Sequence, residues 1–296
     1  MNVVTNPTAN FTTEDIEYQK VGGEPLLAKL YRPHGAGPFP AVVGVHGGAW
    51  TSGDRNNNQA IDSALAAAGV VVLALDFRLA PEAPYPASVA DVNFGTRWLK
   101  ANAAKFGSRP DWVGAVASSS GGHQALLSAL KPHDPRYAAA TSPEMTNVDA
   151  SVAYFVACWP ISDPLARYRM AVEKNNERLT QAHKDYFGSE AAMTEGNPQL
   201  ILERGENGKL PPLLILQGTK DNNVTPDMAE KFSAAWRQRG GPATVEMFPD
   251  QPHTFATQNP TAPESVRAIE MIKAFVLRRG SDYSAWNCRR YRTSTS

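Results

Sequence analysis

From residue 40 onward the chain alternates short apolar runs with longer amphipathic stretches. Unbroken apolar runs suit strands buried on both faces, and helices are the connections that parallel strands need. The runs PAVVGV (40–45), VVVLAL (70–75), WVGAVA (112–117), ASVAYFVAC (150–158) and PLLILQ (212–217) are the expected strands, with TVEMF (244–248) near the far edge. Upstream, EDIEYQKV and LLAKLYRP flank Gly22-Gly23, which predicts an antiparallel hairpin at one sheet edge. Helices are expected in PASVADVNFGTRWLKANAAKF, HQALLSAL, PDMAEKFSAAWRQRG and PESVRAIEMIKAFVLRRG; the first opens on Pro and the last two stop at Gly. The fold class is therefore α/β: a mostly parallel sheet of about eight strands flanked by helices, with residues 1–296 as one domain. Residues 163–205, polar and rich in Arg, Glu and Asn, are expected as a small helical cap insertion within it. The tail SDYSAWNCRRYRTSTS has no periodicity and is expected to wrap the surface or to be mobile.

Charge narrows the partners. Lys plus Arg and Asp plus Glu stand at 29 each, so no global field draws nucleic acid or an anionic membrane, and the expected partner is a small, near-neutral molecule. No apolar stretch approaches the roughly 18 residues that a membrane span needs. The start, MNVVTNPTANF, lacks the basic and apolar regions of a signal peptide. Two cysteines give no disulfide framework: Cys158 is expected as a buried thiol and Cys288 lies in the polar tail, with no bridge between them. These features predict a cytoplasmic protein, in which the glycosylation sequons at Asn10 and Asn223 carry little meaning.

The segment VGAVASSSGGHQALL sets a serine between a buried strand and a helix. A nucleophile on so sharp a turn has a strained backbone, and the residues two before and two after it must be small. Centred on Ser119 these are Ala117 and Gly121; centred on Ser120 they are Ser118 and Gly122, a bulkier solution. Ser119 is the expected nucleophile. Taken alone, the segment also fits a Ser/Gly-rich turn that merely caps a helix.

Two further motifs favour chemistry over capping. His46-Gly47-Gly48-Ala49-Trp50 directly follows the first central strand. Acyl transfer builds negative charge on a carbonyl oxygen, and backbone N–H groups unobstructed by side chains stabilise it. Gly47 and Gly48 are expected to donate from this loop and Ser120 from the helix N-terminus, with His46 anchoring the loop. A base must then take the serine proton, and a carboxylate must orient that base. Asp221 follows strand PLLILQ and a Gly-Thr-Lys turn, and His253 lies in the loop FPDQPHTFAT after the last strand; both fall at the crevice of an open α/β sheet. Asp163 and Asp250 are the rival acids, while His34, His123, His133 and His183 are expected as surface or packing residues. Their spacing suggests no metal site, and no nucleotide-binding loop occurs, so no cofactor is expected.

With HGGAW, DFRLAPEAPYPA (76–87), ASSSGGH, GTKDNNV and PHTF in this order, the chain resembles the α/β-hydrolase superfamily, in its hormone-sensitive-lipase-like and bacterial carboxylesterase branch. The resemblance spans residues 46–255 and implies the catalytic triad Ser119, Asp221 and His253, with Gly47, Gly48 and Ser120 as the oxyanion hole. It also implies that Arg78 and Glu82 fix the loop beside the site. The chain departs from the family at Ala49 and Trp50, where a third small residue is usual, and at Ala117, where Gly is usual. About a dozen residues precede the first strand, too few for the family's N-terminal cap, so any lidding falls to 163–205. Trp50 and Trp159 are candidate pocket walls.

The expected function is hydrolysis of small carboxylic esters, with short acyl groups, through an acyl-serine intermediate. The alternatives are an amide hydrolase, such as an arylformamidase or acyl-peptide hydrolase, and a non-catalytic ligand receptor on the same fold. The receptor reading is disfavoured because all three triad positions are filled.

Overall fold

The computed structural model describes residues 4–5 and 10–278. Nine strands form one sheet: β1 (Val4–Thr5), β2 (Phe11–Val21), β3 (Glu24–Pro33), β4 (Phe39–Val45), β5 (Val71–Leu75), β6 (Ser108–Ser118), β7 (Phe155–Cys158), β8 (Leu213–Gly218) and β9 (Ala243–Phe248), in the order β1-β2-β3-β5-β4-β6-β7-β8-β9. The first is only two residues long, so eight strands make up nearly all of the sheet. Strands β5, β4, β6, β7, β8 and β9 are parallel, and β2 and β3 form the antiparallel hairpin at one edge. Gly22 and Gly23 close that hairpin with φ of 61° and 93°, values that L side chains adopt only under strain.

Side-chain alternation in buried strands feeds two cores. Val43 and Val45 join Leu73, Leu75, Ala115 and Ala117 on one face. Helices Ala87–Asn102, Ser119–Leu130 and Pro226–Gln238 contribute Val89, Leu126 and Phe232 there. Val42, Val72, Val116, Val156 and Leu214 point to the other face, where Leu65 and Ile272 come from helices Gln59–Ala67 and Pro263–Leu277.

Two expectations need adjusting. Strand β7 starts at Phe155 rather than 150, because Asp149 accepts the N–H of Ser151 at 2.9 Å and turns the chain before it enters the sheet. Helix Gln59–Ala67 is an addition to the expected helices; its Ala-rich run ends before Gly69, and its N-cap, Asn58, makes no side-chain capping bond. That side chain serves the site instead, accepting from Ser118 Oγ at 3.0 Å. Between β7 and β8 the segment expected as an insertion holds four helices, Pro164–Glu173, Glu177–Phe187, Glu190–Glu195 and Pro198–Arg204. The tail and Cys288 lie outside the described residues. No helix among the described residues is long and apolar enough to cross a membrane.

Candidate active site

Strand order reverses between β4 and β6, where Val45 pairs with Ala117. Loops leaving the carboxyl ends of these neighbours meet at a crevice, the usual ligand position in such sheets. The Gly47-Gly48 loop leaves β4 and the serine turn leaves β6, so one register brings both together.

Ser119 has φ of 51°, a left-handed conformation costly for a non-glycine residue. A Cβ at position 121 would stand 2.2 Å from the carbonyl oxygen of His46, so only glycine lets the helix approach β4. Ala117 is fully buried, and its methyl fits where the sequence departs from the familiar glycine. Three consecutive serines take three different partners. Ser118 Oγ bonds Asn58, Ser120 Oγ accepts the N–H of Trp50 at 3.2 Å, and Ser119 Oγ lies 2.9 Å from His253 Nε2.

His253 Nδ1 lies 2.7 Å from Asp221 Oδ2, completing a serine–imidazole–carboxylate row. Asp221 follows β8 and is 3% exposed. Its Oδ1 accepts the N–H groups of Asn223 and Val224 at 2.9 and 2.8 Å, and Gln217 Nε2 donates to Oδ2 at 3.0 Å. Burial by itself would raise this carboxyl, but the His253 bond and charge and the two N–H groups outweigh it and lower the pKa. The rival acids are engaged elsewhere: Asp163 caps helix 164–173 through Ala166 N at 3.0 Å, and Asp250 pairs with Lys220 at 2.9 Å.

Gly47 and Gly48 line the crevice beside Ser119 and His253. Neither N–H meets an acceptor among the described residues. Gly48 has φ of 131°, and a Cβ there would lie 1.8 Å from the Ser52 carbonyl oxygen, whose N–H it accepts through its own oxygen at 3.1 Å. The N–H of Ser120 belongs to the first turn of helix 119–130, where no carbonyl within the helix can take it. His46 stacks on Phe77 at 4.3 Å with Nδ1 2.6 Å from the Gly47 oxygen, and burial lowers its pKa.

The crevice encloses about 740 Å³. Trp50 and Trp159, expected as its walls, do not line it. Each is 1% exposed. Trp159 packs on Phe255 at 5.3 Å, behind His253. Trp50 stacks on Tyr186 at 5.0 Å, and its Nε1 donates to His123 Nδ1 at 3.1 Å. His123 Nε2 in turn meets the Gly196 carbonyl at 2.8 Å. A tryptophan two residues after a glycine pair could face either way; here Tyr186 and Phe187 of helix 177–187 supply the aromatic partners that bury it. Of the four other histidines, His123 and His183 are wholly buried, while His34 and His133 are exposed. Arg78 grips the buried Asp91 with two bonds of 2.9 and 2.8 Å, as the loop role requires; Glu82 is exposed and makes no such contact among the described residues. No cluster of metal-ligating side chains occurs among the described residues.

Sequence reasoning missed Arg167. It lines the crevice from helix 164–173 yet is 1% exposed, and it donates to the carbonyl oxygen of Asn223 at 3.0 Å and to that residue's Oδ1. An arginine in a polar segment reads as surface; only its distance in space from Asn223 gives it away.

The family model of BD-FAE matches residues 29–236. The chain belongs to the BD-FAE family. Among its relatives, Esterase LipQ of Mycobacterium tuberculosis is 28% identical over 252 residues, covering 82% of this chain and 57% of LipQ. An acetyl-hydrolase of Streptomyces hygroscopicus is 30% identical over 233 residues, 78% of this chain and 73% of that one. The chain spans only about half the length of the mycobacterial relatives LipQ, LipM and LipC, at 57%, 56% and 47%. Among solved structures, a hyperthermophilic esterase from Pyrobaculum calidifontis superposes with a TM-score of 0.74 at 24% identity, over 89% of this chain and 84% of that one. Esterase LipW of Mycobacterium marinum gives 0.74 at 22%, over 91% and 82%. The structural likenesses show that this BD-FAE member has the α/β-hydrolase fold, and the sequence likenesses relate it to bacterial proteins named as an esterase and an acetyl-hydrolase.

Proposed function

We propose that this BD-FAE chain is a serine carboxylesterase acting on small esters with short acyl groups, in a cytoplasmic setting. The observation that carries the reading is the row Ser119 Oγ–His253 Nε2–Asp221, with bonds of 2.9 and 2.7 Å, opening on a crevice beside two free glycine N–H groups. In this reading Ser119 Oγ attacks the ester carbonyl while His253 Nε2 takes its proton, and Asp221 holds the tautomer and stabilises the imidazolium. The oxyanion is met by the N–H groups of Gly47, Gly48 and Ser120. Collapse expels the alcohol, protonated by His253; water, deprotonated by the same ring, then frees the acid and Ser119.

Acyl length follows from the walls. No Val, Leu, Ile, Met, Phe, Tyr or Trp lines the crevice among the described residues. A long chain there gains little of the ~0.8 kcal/mol that each buried methylene provides in an apolar groove. The names of the esterase and acetyl-hydrolase relatives support ester chemistry. A panel of p-nitrophenyl esters tests the reading together with a fluorophosphonate probe. Acetyl to butyryl esters should be preferred over decanoyl, and the label should sit on Ser119. Labelling of Ser118 or Ser120, faster turnover of emulsified long-chain triglyceride, or a formamide of the same aryl group outpacing its ester each rejects part of it.

A further inference from the structure

The balanced charge of the whole chain hides a local excess of positive charge. One wall of the crevice is a stripe on helix 177–187, in which Arg178, Gln181 and Asp185 recur at helical spacing. Arg167 lines the same crevice from the neighbouring helix and is 1% exposed. Its hydrogen-bond partners are neutral: the Asn223 carbonyl and side-chain oxygens, and His183 Nε2 at 3.4 Å. His183 accepts there because its Nδ1–H is spent on the Leu179 carbonyl at 2.7 Å. No carboxylate lies within ion-pair distance of Arg167 or Arg178 among the described residues. Asp221 acts on Arg167 from farther off, but it is already engaged by His253. Asp185, the acid on the stripe, is held by Gln181 Nε2 at 2.7 Å.

A buried guanidinium without a counter-ion is costly, offset here in part by the Trp50 ring, whose centroid lies 5.7 Å from the Arg167 guanidinium carbon. Burial, with the nearby Arg178 charge, pushes Arg167 down to about 9, which leaves it cationic at neutral pH. Two arginines without an ion-paired carboxylate face one crevice and suit an anion: Arg178 with its planar fork, and Arg167, whose Nε and Nη2 are taken by Asn223, with its charge and its remaining N–H groups. We infer that the substrate is an ester that carries a carboxylate group, bound by Arg167 and Arg178 while its ester carbonyl lies at Ser119. This rests on the ester-hydrolase reading and names the substrate class for it, in place of the near-neutral partner that the overall charge suggests.

The carboxylate can sit on either side of the ester, so the test has two arms. On the acyl side, p-nitrophenyl hemisuccinate is compared with p-nitrophenyl succinamate; on the alcohol side, 4-acetoxybenzoate is compared with 4-acetoxybenzamide. The expected result is a kcat/KM for the carboxylate about tenfold or more above its neutral partner on one arm, carried mainly by KM. That ratio should fall about tenfold in Arg178→Gln and Arg167→Gln, invert in Arg178→Glu, and shrink as salt rises. Because both esters are read on the same preparation, the ratio is independent of the folded fraction. No carboxylate preference on either arm, or a preference unchanged in all three variants, overturns the inference. If p-nitrophenyl acetate is turned over and the fluorophosphonate labels Ser119, that failure leaves the esterase reading standing. If neither happens, both fall together.

Discussion

The serine–histidine–aspartate row and the polar stripe of helix 177–187 face one crevice, yet they are fixed by different means. The row is held by backbone. Ser119 sits at positive φ, Gly121 admits the helix against β4, and the Val45–Ala117 register sets the Gly47-Gly48 loop beside Ser119. The stripe depends on which side chains one helix face carries, while its other face, with Tyr186 and Phe187, is tied into a buried cluster. In the proposed reading, chemistry is thus written into turns and register, and recognition into replaceable side chains. Substitutions in the row should abolish turnover without changing substrate choice; those in the stripe should do the reverse.

Ser119→Ala gives the largest expected effect, a loss of kcat of about 10⁴-fold or more on every ester, with labelling abolished and the melting temperature nearly unchanged. A selective loss on one substrate class would break the division just drawn. Gly48→Ala comes next. Its methyl has nowhere to go against the Ser52 carbonyl, so kcat should fall on the order of 10²–10³-fold, as for a lost oxyanion donor. Trp50→Ala should cost about 3–5 kcal/mol in urea unfolding, since a wholly buried ring is removed. If instead it leaves stability intact and lengthens the preferred acyl chain, the ring belongs to the pocket after all. The smallest effect concerns acid. Burial, then the charge of Arg167, lowers His183 to about 3, and burial lowers His123 to about 4. Both native rings stay neutral where an unfolded chain takes up protons. Stability should therefore fall as pH drops below histidine's ordinary value, by up to about 2 kcal/mol per ring at pH 5. A melting curve for His183→Gln that is flatter between pH 7 and 5 than the parent's would bear this out; an equal slope would not.

What could be read from the sequence follows the same division. Gly47-Gly48, Gly121 and Gly22-Gly23 were informative because their backbones leave little choice, and β4, β5, β6 and β8 because burial on both faces excludes polar residues. Ser119, Asp221 and His253 could be proposed from position relative to strand ends, and the fold brings the three within hydrogen-bond reach. Trp50, Trp159 and Arg167 defeated the same logic. An aromatic after a strand has two possible destinations, and an arginine is buried only when a distant loop, here at Asn223, supplies acceptors. Helix 59–67 was legible in the Ala-rich run before Gly69; what the sequence could not show is that Asn58 bonds Ser118 instead of capping.

Trp50 is tethered twice to helix 119–130, by its backbone to Ser120 and by its indole to His123, which reaches on to Gly196 in the insertion. The Gly47–Trp50 loop, helix 119–130 and the segment at Gly196 are thus linked by one run of hydrogen bonds. Opening of helices 177–204 should therefore remove the bonds that brace the loop next to the glycine pair. Activity lost on heating before the far-UV signal of the sheet falls is the outcome expected if these helices open first.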